Sequence, residues 1–249
     1  MIYKLNNCNF ARLYNYFFRQ SMIILHIETS THVCSVAVSK NNICVFSKID
    51  LKGMNHAALL SVFIQEALDF LKNSDEKLDA VAVSAGPGSY TGLRIGVSTA
   101  KGICYGLDIP LISVNTLELM YIAAKEKYTT DKYSYFVPMI DARRMEVYDV
   151  IFDCKGNTIR PTQATIVDDN SYSKYDGKIC FFGNGSEKCK SILQKENFIF
   201  LDNIHPLAEK MINPASKKFI NHEFEDAAYY EPFYLKEFQT TIPKNKVLG

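Results

Sequence analysis

Residues 84–96 read SAGPGSYTGLRIG and follow an apolar segment, residues 79–83, as expected of a strand that turns tightly into a helix. Gly86 and Gly88 permit backbone angles and close approaches that a side chain would block. Ser89 can accept a hydrogen bond from a free N–H group at the start of the helix. Because such a junction favours anions, the stretch predicts an α/β protein with a candidate site at this turn.

The predicted helix is unusually rich in small residues. Gly92, Gly96 and Ala100 recur at four-residue spacing, and Gly102 and Gly106 form a second strip on another face. Each glycine costs about 1 kcal/mol relative to alanine inside a helix. We therefore expect this helix to pack against an unusually close neighbour that offsets the cost.

Composition excludes several classes of protein. The 249 residues are 47% hydrophobic and 22% charged, with a net charge of +1, which is not the electrostatic signature of a protein that binds nucleic acid alone. No apolar run is long enough to cross a bilayer. The seven cysteines contain no Cys-x-x-Cys pair, which is typical of reduced thiols. We expect a globular cytoplasmic protein without a membrane partner.

The first 21 residues differ from the rest of the chain. Residues 1–21 contain three basic residues and no acidic ones, and they lack the long apolar core of a secretory signal. Met22 directly precedes a clear strand pattern. We interpret residues 1–21 as an extension ahead of the fold.

From Met22 onward the order of predicted elements is strand, strand, strand, helix, strand, helix, and this order recurs. Glu28 and Asp141 each end the first strand of a half, and GNGS at residues 183–186 mirrors GPGS at residues 86–89. In the second half, helices are predicted at residues 169–175, 187–193 and 207–219, and the strand near residues 158–166 has the weaker pattern. The predicted units are a half at residues 22–119, a half at 120–226 and a tail at 227–249 that packs on the body.

Two βββαβα halves with acidic first turns resemble the actin-like ATPase (ASKHA) superfamily, which includes sugar kinases and Hsp70. The similarity becomes more specific in several motifs, which resemble those of the TsaB family over nearly all of the chain after Met22. The motifs are IETST (27–31), CSVAV (34–38), the glycine stretch (86–96), DARRMEVY (141–148) and EPFYLK (231–236).

The TsaB family is a bacterial component of the machinery that forms threonylcarbamoyladenosine beside the tRNA anticodon. The resemblance implies a scaffold without catalytic residues, which dimerises with and activates the catalytic paralogue TsaD. It further implies contact with the ATPase TsaE, indirect contact with tRNA, and homodimerisation when TsaD is absent. It implies no intrinsic cofactor, although ATP or ADP with Mg could bind at the complex interface.

The resemblance to TsaD also bears on metal binding. The TsaD lineage carries a metal-binding His-Met-Glu-Gly-His run after the strand that follows the glycine helix. With the glycine turns aligned, Thr116 and Met120 stand where the two histidines would be. Neither is a useful ligand for a hard or borderline metal, so we expect no metal site there.

Partner binding is predicted on the helix that begins near His56 and on the glycine helix. The alternative is that both helices only cover their own sheet. Under the first interpretation, a bulky residue at Gly96 should abolish partner binding and spare the fold. The candidate partner-binding residues are His56, Tyr90, Gly92, Arg94, Gly96 and Ala100.

Nucleotide binding is predicted less specifically, because neither a Walker A motif nor a dinucleotide fingerprint is present. The first turn could hold a hydrated magnesium and a phosphate, and the alternative is a polar hairpin turn. The glycine turn could bind a phosphate, and the alternative is that it only orients the helix. The candidate nucleotide-binding residues are Glu28, Thr29, Ser30, Gly86, Gly88 and Ser89.

A third candidate site is the charged turn that contains Asp141, Arg143 and Arg144. An arginine pair there could bind phosphate or a partner carboxylate, and the alternative is a solvated turn. Two other functions remain open at this point. One is an actin-like small-molecule kinase, and the other is a metallopeptidase-like enzyme.

Overall fold

The computed structural model describes residues 21–53, 55–128 and 132–236. The predicted extension up to residue 20 and the last part of the predicted tail, residues 237–249, lie outside the described residues.

The first half is a five-stranded sheet with the strand order β3-β2-β1-β4-β5. β1 pairs antiparallel with β2 and parallel with β4, so the carboxyl ends of β1, β4 and β5 meet at one edge. The elements are β1 (Ile23–Glu28), β2 (Cys34–Lys40), β3 (Ile43–Asp50), α1 (His56–Asn73), β4 (Ala80–Gly86), α2 (Tyr90–Leu107) and β5 (Leu111–Asn115).

The second sheet repeats the first, with the order β8-β7-β6-β9-β10. Its first three strands are antiparallel, and β9 and β10 run parallel to β6. This confirms the predicted duplication. The elements are α3 (Thr116–Lys127), β6 (Tyr135–Asp141), β7 (Glu146–Asp153), β8 (Thr158–Ile166), β9 (Ile179–Phe182), β10 (Phe198–Leu201) and α4 (Ile212–Ile220).

The helices predicted at residues 169–175 and 187–193 are corrected by the structure. Residues 169–175 form turns. The Asp168 N–H donates to Ser171 Oγ, and that hydroxyl donates to Asp168 Oδ1. Such local side-chain bonds compete with the hydrogen bonds of a helix. In the second segment only Glu187–Cys189 is helical, and it is a 3-10 helix.

The last predicted helix, residues 207–219, is divided in two. A 3-10 helix spans Ala208–Met211 and α4 begins at Ile212. This start places Pro214 in the first turn of α4, where the missing N–H group breaks no helical bond.

α3 lies between the two sheets and is buried on both sides. Leu119 packs in the core of the first sheet, whereas Leu117 and Met120 pack in the core of the second. The predicted boundary between residues 119 and 120 falls inside this helix, so the two halves share it. α4 returns to the first sheet, where Phe219 joins the same core as Leu119.

A buried carboxylate links β7, one of the two strands that carry the charged turn, to β8. Asp149 of β7 is fully buried and forms an ion pair with Arg160 of β8. Its oxygens also accept hydrogen bonds from Thr165 Oγ1 at 2.6 Å and from Tyr172 Oη at 2.7 Å. Burial raises the pKa of Asp149, and the positive charge of Arg160 opposes that rise. The network therefore links β7, β8 and the segment that follows β8.

Over the described residues, no helix is both long and apolar enough to span a membrane. The six cysteines in that part of the chain are all free thiols.

Candidate functional site

The glycine turn joins β4 to α2 at the edge where the parallel strands end. Ser89 caps α2, because its Oγ accepts a hydrogen bond from the Gly92 N–H at 3.2 Å. The N–H of Ser89 donates to the Ser30 carbonyl at 2.7 Å. The glycine turn is therefore bound directly to the first turn of the chain.

The first turn follows β1, and Glu28, Thr29 and Ser30 are all fully buried. The Glu28 Oε1 accepts hydrogen bonds from both the N–H and the hydroxyl of Ser30, the former at 2.6 Å. Thr29 Oγ1 donates to the Gly92 carbonyl at 2.8 Å. The two turns thus form one hydrogen-bonded unit with α2.

The glycines of α2 are explained by this unit. A Cβ atom at Gly92 would collide with the Thr29 carbonyl, and one at Gly96 would collide with Thr29 Oγ1. A Cβ atom at Gly88 would collide with the Ser30 carbonyl. The close neighbour expected from the sequence is therefore the first turn of the same chain. The expectation that a bulky residue at Gly96 would spare the fold is wrong, because no space exists for it.

The C-terminal strap, residues 225–236, runs over the glycine turn. The Phe233 N–H donates to the Ala85 carbonyl at 2.7 Å, and the Phe233 carbonyl fills the space beside Gly86 that a side chain would need. The Tyr234 ring packs against the Tyr90 ring, with 4.8 Å between centroids and 37° between the ring planes. The described part of the predicted tail therefore packs on the body and covers this turn.

The residues as arranged do not fit a nucleotide. The Ser30 and Ser89 N–H groups, which would face a phosphate, already have acceptors, and the only acidic side chain of the first turn, Glu28, is fully buried. The strap lies over Gly86. In the isolated chain, this turn is therefore closed by contacts within the chain itself.

Burial raises the pKa of Glu28 from 4.5 to about 7, and the hydrogen bonds from Ser30 oppose that rise. The folded state thus favours the neutral carboxyl. Between about pH 4.5 and 7, Glu28 is ionised in the unfolded chain but stays protonated in the folded one. Its contribution to stability is complete below about pH 4.5 and is lost as the pH rises through about 7.

Glu28→Gln should therefore stabilise the protein at alkaline pH. The amide keeps an oxygen for Ser30 and never ionises. We expect the free energy of unfolding to rise by about 2 to 3 kcal/mol at about pH 8 and to change little at about pH 4.5. Urea unfolding at both pH values measures this, with Glu66→Gln on the surface of α1 as the matched control. An equal effect at both pH values would show that Glu28 does not titrate as described.

The six predicted partner residues do not form one surface. Gly92, Gly96 and Ala100 are buried against the chain's own first half, which corrects the prediction that they line a groove for a partner.

His56 Nε2 lies 3.1 Å from the Val33 carbonyl at the start of α1. Arg94 is exposed and donates to Tyr90 Oη at 3.3 Å.

The open side of these helices is the outer helix face, formed by Val62 of α1 and by Gly102 and Gly106 of α2. α1 and α2 pack side by side. A Cβ atom at Gly102 or Gly106 would meet nothing within 4 Å, and Val62 is 50% exposed. The second small strip of the sequence, not the first, is therefore accessible.

The charged turn joins β6 to β7. Asp141 pairs with Lys188, and Glu146 of β7 pairs with Lys236 of the strap. Arg143 and Arg144 both have a positive φ, of 69° and 50°. The two lysines could not be identified from the sequence, because they are distant from the turn along the chain and belong to no local motif.

Thr116 and Met120, the positions aligned with the histidines of TsaD, are both buried. Met120 belongs to the core of the second sheet. Within the described ranges, no cluster of three or more His, Cys, Asp or Glu residues could hold a metal ion.

Comparison with known proteins identifies the family. Residues 51–243 match the model of TsaD, tRNA N6-adenosine threonylcarbamoyltransferase. A tRNA threonylcarbamoyladenosine biosynthesis protein TsaB of Buchnera aphidicola subsp. Baizongia pistaciae is 30% identical over 86% of this chain and 98% of its own. The chain belongs to the TsaB family, within this wider TsaD-like group.

Two further proteins extend the TsaB comparison. TsaB of Escherichia coli K12 is 29% identical over 86% of this chain and 95% of its own. The structure of YeaZ from Pseudomonas aeruginosa superimposes with a TM-score of 0.71 at 22% identity and covers 86% of this chain and all of its own. That structural likeness shows that the two chains share one fold.

Proposed function

We propose that this TsaB-family chain is a non-catalytic scaffold subunit for the formation of threonylcarbamoyladenosine in tRNA, which dimerises with TsaD and activates it. The observation that carries the proposal is similarity to proteins named for this biosynthesis over nearly their full length. The burial of Thr116 and Met120 in the core is consistent with a subunit that performs no chemistry itself.

The outer helix face is the proposed surface for TsaD. It combines the exposed side chain of Val62 with a strip of glycines on which a facing helix could lie closely. In the absence of TsaD the same face would support a homodimer. TsaE and tRNA would meet the chain in the assembled complex.

The proposed role places the protein in the cytoplasm, with no cofactor bound by the chain alone. Because the glycine turn is closed by the first turn and the strap, any ATP or ADP with Mg would bind where the subunits meet. Neither the kinase nor the metallopeptidase alternative gains support from the described residues.

Gly102→Leu should strongly weaken binding of TsaD without loss of the fold. The added side chain projects into open space, and leucine has a higher helix propensity than glycine. Light scattering on a sizing column, with the chain alone and mixed with TsaD from the same bacterium, measures assembly. We expect a one-to-one heterodimer for the unmodified chain. For the variant, the dissociation constant of the complex with TsaD should rise by about 30-fold or more.

The matched control is Lys217→Leu on α4, which adds an exposed leucine on the opposite face of the first sheet. It should assemble normally. Normal assembly of Gly102→Leu would move the TsaD surface elsewhere, and failure of the unmodified chain to bind TsaD would overturn the proposed function.

A further inference from the structure

The tip of the β6–β7 hairpin is held rigidly from outside the hairpin. Lys188 Nζ donates to the carbonyl oxygens of Arg144 and Glu146, both at 2.7 Å, and also binds the carboxylate of Asp141. The Val167 N–H, from the segment after β8, donates to the Met145 carbonyl at 2.8 Å. The main chain of the tip therefore has one well-determined conformation.

This conformation is unfavourable for the residues that occupy it. Arg143 and Arg144 both lie in the left-handed region, where a Cβ atom is strained. Positive φ values favour glycine or asparagine, not two arginines. Strained residues persist where the surroundings enforce them, and they concentrate at functional sites. The arginines are thus not explained by the requirements of the turn.

The two guanidinium groups are available to a ligand. Asp141 and Glu146 are already neutralised by Lys188 and Lys236. In the described part of the chain, neither Arg143 nor Arg144 forms an ion pair or a side-chain hydrogen bond. The rigid tip therefore presents two adjacent, uncompensated guanidinium forks.

The surroundings favour a protein partner over a nucleic acid. The two lysines beside the tip are each paired with a carboxylate, and the whole chain carries a net charge of only +1, so the two arginines are not part of an extended positive field of the kind that binds a phosphate backbone. Ile166, which pairs with Glu146 across the strands, is 75% exposed. Arginine beside an exposed apolar side chain is typical of protein interfaces.

We propose that Arg143, Arg144 and Ile166 form a second docking site, which receives a carboxylate-bearing surface of a protein partner. Each guanidinium would bind a carboxylate through paired N–H donors, the geometry for which arginine is suited. The inference rests on the proposed scaffold function, because it gives that scaffold a protein contact separate from the outer helix face.

The test uses the full chain with TsaD and TsaE from the same bacterium as the probes. The double variant Arg143→Glu, Arg144→Glu should weaken binding of one of these proteins by about 30-fold or more, the loss expected when one side of a charge pair is removed. The control Lys155→Glu, Lys178→Glu changes the net charge equally at exposed positions elsewhere. It should bind both proteins normally.

A second variant separates binding from folding. The second variant combines Arg143→Asn with Arg144→Gly, two residue types that adopt positive φ values readily. Its midpoint of thermal unfolding should be higher than that of the unmodified chain, although its binding of the partner should be weaker. A lower midpoint would show that the arginines serve the fold and would overturn the proposal.

The remaining outcomes are also decisive. Unchanged binding of TsaD and TsaE by both arginine variants would overturn the docking site alone, and loss of tRNA binding without loss of either protein would assign the tip to phosphate. Failure of the unmodified chain to bind either protein would overturn both the proposed function and this inference.

Discussion

Gly96→Leu is expected to prevent folding. The new side chain would have to occupy the position of Thr29 Oγ1, which is fully buried and held by its hydrogen bond to the Gly92 carbonyl. Neither α2 nor the first turn can move away without breaking the hydrogen bonds that join them. We expect a loss of more than about 4 kcal/mol, which is a large fraction of the stability of an ordinary domain.

Urea unfolding of a graded series measures this effect. Gly96→Ala introduces only the colliding Cβ atom and should cost about 1 to 3 kcal/mol. Gly102→Leu is the matched control in the same helix, and it should be neutral or stabilising because its side chain enters open space. Equal stability of the two leucine variants would contradict the close packing of α2 on the first turn.

Asp149→Ala is expected to have the second largest effect. The variant leaves the Arg160 guanidinium, largely buried, without its counter-charge and the Tyr172 hydroxyl without its acceptor. Removing one partner of a buried ion pair costs about 3 to 5 kcal/mol, because the remaining charge is uncompensated.

Asp149→Asn is the matched variant for this prediction, since it keeps an oxygen for Thr165 or Tyr172 while losing the charge. It should cost clearly less than the alanine variant. Chemical denaturation of both proteins at neutral pH provides the comparison. If the two variants are equally stable, the hydrogen bonds to Asp149 contribute little and the ion pair alone matters.

The strands were largely predictable from sequence because their evidence is local. Apolar runs and turn residues lie within each element, and the alternation at residues 33–39 predicted β2 to within about a residue. The helical segments of the second half were less predictable. Their outcome depended on competing side-chain bonds at Asp168 and on the position of Pro214, which hydrophobic periodicity does not register.

For the candidate sites, the sequence indicated which residues are special but not what they contact. The glycine spacing correctly predicted a close neighbour for α2. It could not distinguish a partner helix from Thr29, because that contact joins segments more than sixty residues apart. Lys188 and Lys236 were missed for the same reason. The pattern Arg143-Arg144 was visible in the sequence, but its positive φ values were not.

The return of α4 to the first sheet determines when that sheet can be completed during synthesis. Its strands end at residue 115, yet Met211, Ala215 and Phe219, which cover one of its faces, emerge from the ribosome about a hundred residues later. Until then the sheet has an uncovered apolar face, and nascent chains with such surfaces are prone to aggregate. The two halves therefore complete folding together, and a chain that stops before α4 would expose that face permanently.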